Sequence, residues 1–166
     1  MKPYGRTVVD TNVFSYLMEE TPLGESYRAL LIGCIPCIAC VTPEESYYGA
    51  AKKKWGEKRR GELEAHIADC VLLPTNLDVA RVSGRIRAER DRKGRPISRP
   101  DAWIAATALW HRLPLVSHDG DVLGIDGLWV VTLRDCRVEE PRASYGASSR
   151  QNCEFVDSYD TRFLAA

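Results

Sequence analysis

Arg6-Thr-Val-Val-Asp10-Thr11-Asn12-Val-Phe-Ser-Tyr-Leu-Met18 decides the fold. Arg6 to Val9 is a short β-branched run that stops on an acid, and Val13, Phe14, Leu17 and Met18 then recur at helical spacing. A strand therefore feeds a helix, with Asp10 at the junction. The same alternation continues outward. An amphipathic stretch from about Leu23 to Ile32 leads into a strand from Cys37 to Val41. Thr42-Pro43-Glu44-Glu45 opens the next helix, with Thr42 as N-cap, Pro43 at the first helical position and Glu45 completing a capping box. Asp69 to Leu73 reads as a third strand closed by Pro74. Leu77 to about Arg92 reads as a helix that buries Val79, Val82 and Ile86 and exposes a run of arginines.

Gly94-Arg95-Pro-Ile-Ser98 interrupts that helix, and Pro100 to Trp110 starts one that is apolar nearly all round, which predicts burial. Pro114 to Ser117 gives a fourth strand, His118-Asp119-Gly120-Asp121 a turn, and Leu128 to Leu133 a fifth strand. Strands alternating with helices through short loops predict an α/β fold: a central, mostly parallel five-stranded sheet flanked by helices in three layers. Residues 1–133 form that domain. Residues 134–166 are a polar extension, disordered or docked through Phe155, Val156, Tyr159, Phe163 and Leu164.

Four acids stand where these strands end or these helices begin: Asp10, Glu45, Asp101 and Asp119. In a parallel sheet ligands bind beyond the carboxyl ends of the strands, so the four are expected to converge on one crevice. Carboxylates repel: two unit charges ~4 Å apart cost a few kcal/mol at an effective dielectric near 20. A chain that gathers four needs a cation, and a hard divalent metal suits oxygen ligands. Taken singly, each acid has a structural account. Asp10 and Asp119 can be a cap and a turn residue, Glu45 a capping-box partner, and Asp101 a first-turn acid favoured by the helix dipole. Their joint placement at one edge of the sheet is what the structural accounts leave unexplained.

The chain has 166 residues, 45% of them apolar, enough for one domain with a core. Its 23 basic and 23 acidic residues cancel, so a polyanion must be attracted by a local patch. Two such patches are Lys52 to Arg60 and Arg81 to Arg99. The second delivers Arg95 and Arg99 to the rim of the expected site, and Trp55, if exposed, can stack on a base. Met1 to Arg6 leads almost directly into a strand and no apolar run approaches the ~20 residues that span a bilayer, so a cytoplasmic location with no membrane contact is expected. Cys34, Cys37 and Cys40 alternate across an extended strand, which scatters their sulfurs and favours reduced thiols over a zinc or iron–sulfur site.

These segments resemble the PIN domains, and most closely the small toxin ribonucleases of bacterial toxin–antitoxin pairs, the VapC group. Val9-Asp10-Thr11-Asn12 is similar to the opening acid of that family. Val41-Thr-Pro-Glu-Glu45-Ser-Tyr-Tyr-Gly49 is similar to the segment in which a Glu precedes a Gly by four residues. Pro100-Asp101-Ala-Trp-Ile-Ala-Ala-Thr-Ala-Leu109 resembles the third-acid helix, and Leu115-Val-Ser117-His-Asp119-Gly-Asp121 the last motif. The resemblance spans about Arg6 to Leu133.

What it implies is a magnesium-dependent endoribonuclease, with manganese as a substitute, that hydrolyses RNA phosphodiester bonds and is restrained by a small antitoxin protein. Asp10, Glu45, Asp101 and Asp119 would be catalytic. Asp10, Asp101, Asp119 and Asp121 would be metal ligands, with Thr11 and Ser117 holding the carboxylates and Arg95 and Arg99 binding RNA. The two N-terminal helices would receive the partner on Phe14, Tyr16, Leu17, Tyr27, Leu30 and Leu31; a homodimer is a further assembly the reading leaves open. The alternative is a non-catalytic PIN-like or receiver-like module whose acids hold an ion. A dehalogenase-like phosphatase would want a second Asp two residues after the first, where Asn12 stands.

Overall fold

Successive residues of each inner strand face opposite sides of the sheet, and this period of two divides the core. The computed structural model describes residues 5–134. Its sheet consists of β1 (Gly5–Val9), β2 (Cys34–Ala39), β3 (Val71–Leu73), β4 (Leu115–Val116) and β5 (Val130–Val131), in the order β3-β2-β1-β4-β5. Every pairing is parallel, with Val8 opposite Cys37 and Leu115, and Val9 opposite Val116. The expected "mostly parallel" sheet is thus wholly parallel. Val8, Cys37 and Leu115 join one apolar cluster, whereas Val9, Ile38 and Val116 join the other. Helices cover both faces, as such a sheet requires.

On the first face lie α5 (Leu77–Arg92) and α6 (Arg99–His111). Ala102, Ala105, Ala106 and Ala108 of α6 are fully buried, so small side chains let this helix sit close against its neighbours. On the second face lie α1 (Thr11–Leu17), α2 (Pro22–Leu31) and α4 (Glu57–Ala68), which contribute Phe14, Tyr27 and Leu63 to the other cluster. α3 (Val41–Lys52) follows β2 and carries the second acid. Caps fix several starts: Gly24 N–H donates to Thr21 Oγ1 at 3.1 Å, Val79 N–H to Asn76 Oδ1 at 2.9 Å, and Asp101 N–H to Ser98 Oγ at 3.2 Å. Gly24 is required at the α1–α2 corner, because a Cβ there would come within 2.3 Å of the Tyr16 carbonyl oxygen.

Three local expectations are corrected, and one break is added to what the sequence suggested. The helix after β2 begins at Val41 with Cys40 as N-cap in αR conformation and no side-chain cap bond, so Thr42 and Glu45 form no capping box. Residues 41–68 are two helices, broken where Lys54 takes φ 51° and Gly56 caps α4. Arg90 is buried and not part of an exposed run: its guanidinium donates to the carbonyls of Arg95 (3.0 Å) and Leu123 (3.2 Å), tying the end of α5 to two loops. Phe14 and Tyr27 are core residues and offer no docking surface; Tyr16, Leu17, Leu30 and Leu31 are half-buried against the same cluster. Cys37 is buried as expected, while Cys40 is exposed. The extension from residue 135, with its suggested docking residues, lies outside the described residues. Among the described residues no helix is long and apolar enough to cross a membrane.

Candidate active site

The chain lays β1, β2 and β3 outward in one direction and then returns to place β4 on the other side of β1. That reversal makes the cleft beyond the ends of β1 and β4 the topological switch point of the sheet, where open parallel sheets hold ligands. Asp10 follows β1 and Ser117 follows β4. Asp10 N–H donates to the Val116 carbonyl (3.0 Å) and Ser117 N–H to the Val131 carbonyl (3.1 Å), so the ladder fixes both residues at the edge.

Asp10 occupies the N-cap position of α1 but its side chain makes no cap bond. The capping account therefore fails for this acid. Its Oδ2 instead accepts the Ser117 hydroxyl at 2.6 Å inside the protein. Burial pushes the Asp10 carboxyl up to about 6; the Ser117 hydroxyl opposes this, and the charges of Asp101 and Asp119 add to it. Only 2% of Asp10 is exposed, which leaves its charge little water to screen it.

Asp101 stands in the first turn of α6, where its carboxylate accepts the Ser98 hydroxyl while its N–H donates to the same oxygen. Its carboxyl is raised by burial and by Asp119 and Asp121, against the effect of Ser98. Asp119 uses Oδ1 to accept the Asp121 N–H (2.8 Å), and its own N–H donates to Ser117 Oγ (3.0 Å). The turn account of Asp119 is thus realised, yet the turn sets Asp119 and Asp121 within electrostatic reach of Asp101. Glu45 reaches the cleft from α3: its Oε2 accepts the Thr11 hydroxyl at 2.6 Å, and the Thr42 hydroxyl lies 3.2 Å from the same Thr11 oxygen.

The sequence-derived residues are therefore brought to one edge, with Thr11 and Ser117 bonded to the carboxylates they were expected to hold. Among the described residues, however, no three carboxylate, imidazole or thiolate side chains converge tightly enough to form a ready metal cage. The donors still suit a hard cation. They are all oxygens, and the buried one is destabilised by its acidic neighbours. A magnesium ion that keeps most of its waters needs only one or two of them.

Arg95 and Arg99 are exposed on the segment that enters α6, two to six residues before Asp101. His118 has a structural account: its Nδ1 lies 2.8 Å from the Tyr27 hydroxyl, and its ring stands edge-on to Tyr16 and Tyr27. Trp55 is half-buried and carries the Arg59 guanidinium 4.3 Å above its ring, so this face is closed to a base. Sequence reasoning passed over the Tyr27–His118 contact, which no local pattern announces. It also passed over the buried Arg90, although Val79, Ser83, Ile86 and Arg90 share one stripe of α5 and their spacing marks it.

A PIN domain model matches residues 7–128. Ribonuclease VapC5 of Mycobacterium tuberculosis is 33% identical over 123 residues, which is 72% of this chain and 87% of that protein. The tRNA(fMet)-specific endonuclease VapC of Shigella flexneri is 30% identical over 68% of this chain and 85% of its own length. Among solved structures, DNA-bound VapBC from Salmonella typhimurium superposes with a TM-score of 0.67 at 28% identity, covering 76% of this chain and 97% of that one.

Proposed function

This chain belongs to the PIN-domain family, and on that footing we propose that it is the endoribonuclease toxin of a toxin–antitoxin pair. The observation that carries the proposal is the buried Asp10, left among Asp101 and Asp119 with its carboxyl raised and bonded to Ser117, with no helix-cap bond to account for it. A fold has no structural use for such a group. A cation site does. RNA is the substrate class, in keeping with the ribonuclease names of the relatives.

In this reading Asp10, Asp101 and Asp119 hold magnesium, or manganese in its place, directly or through water, with Asp121 as a reserve ligand. When bound, the ion supplies positive charge that stabilises the negative oxygens of the phosphodiester in the transition state. Glu45 accepts the proton of the attacking water as its oxygen bonds to phosphorus and the bond to the departing ribose oxygen breaks. Thr11 holds Glu45 in place for that transfer, and Ser117 holds Asp10. Arg95 and Arg99 draw the RNA backbone to the rim. A small antitoxin restrains the enzyme in the cytoplasm.

Incubating the purified chain with total RNA, with magnesium or with excess chelator, tests the proposal, with Asp101→Asn as the control. Cleavage is expected with the metal alone, and not by the variant. Equal cleavage in chelator, or by the variant, would overturn the mechanism. A protein that binds the metal and never cuts RNA would be the interaction module instead.

A further inference from the structure

Beside the acid cleft, and separate from Arg95 and Arg99, lies a hollow with Glu19 and Glu45 in its wall as well as two cations, Lys53 and Arg59. α3 carries Glu45 and Gly49 at i and i+4, and Lys53 at i+8 caps its end, which places all three on one helix face. With Thr11 of α1, Glu19 beyond its end, Trp55 before α4 and Arg59 in its first turn, they line a pocket of about 120 Å³. Glu45 and Thr11, already bonded to each other, form the end that opens on the cleft.

Three features give this hollow a chemical preference. First, Arg59 lies stacked over Trp55, a contact that fixes the guanidinium while leaving its N–H donors unused. Second, among the described residues neither Lys53 nor Arg59 has an acid within ion-pair distance, whereas Arg28, Arg81 and Lys93 are each paired three or four residues away. Third, Gly49 sits inside α3, where glycine weakens a helix, and a Cβ built there meets nothing within 4 Å. The helix surface is therefore open at this point of the hollow.

We propose that this pocket is a phosphate subsite for the RNA backbone, in which Lys53 and Arg59 bind a phosphate flanking the scissile one and the strand passes over Gly49 to Glu45. The inference rests on the ribonuclease reading and deepens it. Eight residues of helix separate Lys53 from Glu45 by about 12 Å, which leaves room for nucleotide between the held phosphate and the attacked one. The hollow offers a phosphate or a ribose edge about 120 Å³ beside the two cations, and contacts to the phosphate alone follow the backbone without reading sequence. The larger hollow at the α1–α2 corner, lined by Glu20, Thr21, Pro22, Glu25 and Arg28, has no such free cation, since Arg28 is bound to Glu25 and to the Leu17 and Glu19 carbonyls.

The test measures binding without turnover. The full chain in excess chelator is titrated with a labelled single-stranded RNA of mixed sequence at several salt concentrations, and thermal melting is followed in parallel. Lys53→Ala and Arg59→Ala are each expected to weaken binding about tenfold and to reduce the slope of log affinity against log salt by ~0.7 for each phosphate no longer held. Gly49→Ala is expected to bind more weakly while melting no lower than wild type, a combination that a merely structural glycine does not produce. Arg81→Ala, remote and already paired, serves as the charge control. Unchanged slopes for Lys53→Ala and Arg59→Ala beside a salt-dependent wild type would remove the subsite and leave the ribonuclease reading standing. A wild type that neither binds nor cuts RNA would remove both. Variants that keep RNA binding but lose a co-expressed protein would assign the pocket to that partner and so refute its use by RNA.

Discussion

Ser117 donates its hydroxyl to Asp10 across 2.6 Å, although 107 residues separate them in the chain. The bond spans the ends of two paired strands, β1 and β4, at the point where the sheet order reverses. The same hydroxyl oxygen accepts the Asp119 N–H, so one side chain sets the positions of two acids at once. It also opposes the rise of the Asp10 carboxyl that burial causes.

Ser117→Ala should therefore act on the metal and not on the fold. With one donor fewer, the Asp10 carboxyl moves further up and its ionised form becomes rarer near neutrality. Metal affinity should fall ~10–100-fold, as for other supports of a ligand, and the pH midpoint of metal-dependent cleavage should rise. Titrating activity with magnesium at several pH values reads both. A variant with wild-type affinity and an unmoved midpoint would show that the hydroxyl does not control this acid.

Asp10 itself makes stability depend on pH. Its carboxyl titrates near 3.8 ordinarily and at about 6 in the fold, so the native state binds this proton more tightly than the unfolded chain. The contribution is complete below the unfolded value and is lost as pH rises through about 6, at most ~3 kcal/mol for two pKa units. Asp10→Asn keeps the shape and removes that loss. In chelator at pH 7.5 it should be more stable than wild type by ~1–3 kcal/mol, with a flatter stability profile between pH 4 and 6, and magnesium should stabilise wild type alone. Denaturant unfolding across this range checks the sign; a less stable variant at pH 7.5 would contradict it.

The layers, the five strands and the four acidic positions were legible in the sequence because they follow from periodicity and from where strands stop. What was not legible depended on tertiary contact. Thr42-Pro43-Glu44-Glu45 carries a complete capping signature, yet the helix already starts at Val41, and the Thr11 hydroxyl takes Glu45 from 34 residues away. Arg90 looks like one more surface charge until the loops around it supply two carbonyls. Trp55 invites base stacking in a basic run, but Arg59 four residues on closes its face. In each case a local rule lost to a partner distant in sequence or a neighbour one helical turn away.

Glu45 can now be tested without the confusion of a cap. Glu45→Gln still accepts the Thr11 hydroxyl but cannot take a proton, so turnover should fall ~10²–10⁴-fold, the usual worth of a general base. Thr11→Val removes only the donor and should cost less, about tenfold, with Thr11→Ser restoring the rate. Single-turnover cleavage by proteins matched in melting temperature separates the two roles. Equal rates for Glu45→Gln and wild type would leave Glu45 a structural residue.

The last prediction concerns restraint. An endoribonuclease that meets the RNA of its own cell needs an inhibitor, and the acid cluster proposed to hold magnesium is equally a target for a guanidinium, whose fork pairs with carboxylates at two points. Tyr16 and Leu17 of α1 with Leu30 and Leu31 of α2 are half-buried beside the cluster that contains Phe14 and Tyr27. An amphipathic partner helix can cover them and carry an arginine toward Asp10 and Asp101. Expressed from its native locus, the chain should co-purify with a small protein encoded beside it. The complex should be inactive and should regain activity when the partner is removed. Deleting the neighbouring reading frame should arrest growth, and Asp101→Asn should abolish the arrest. An active chain that is harmless in its host with no protein bound would show that restraint by an antitoxin is not how this enzyme is controlled.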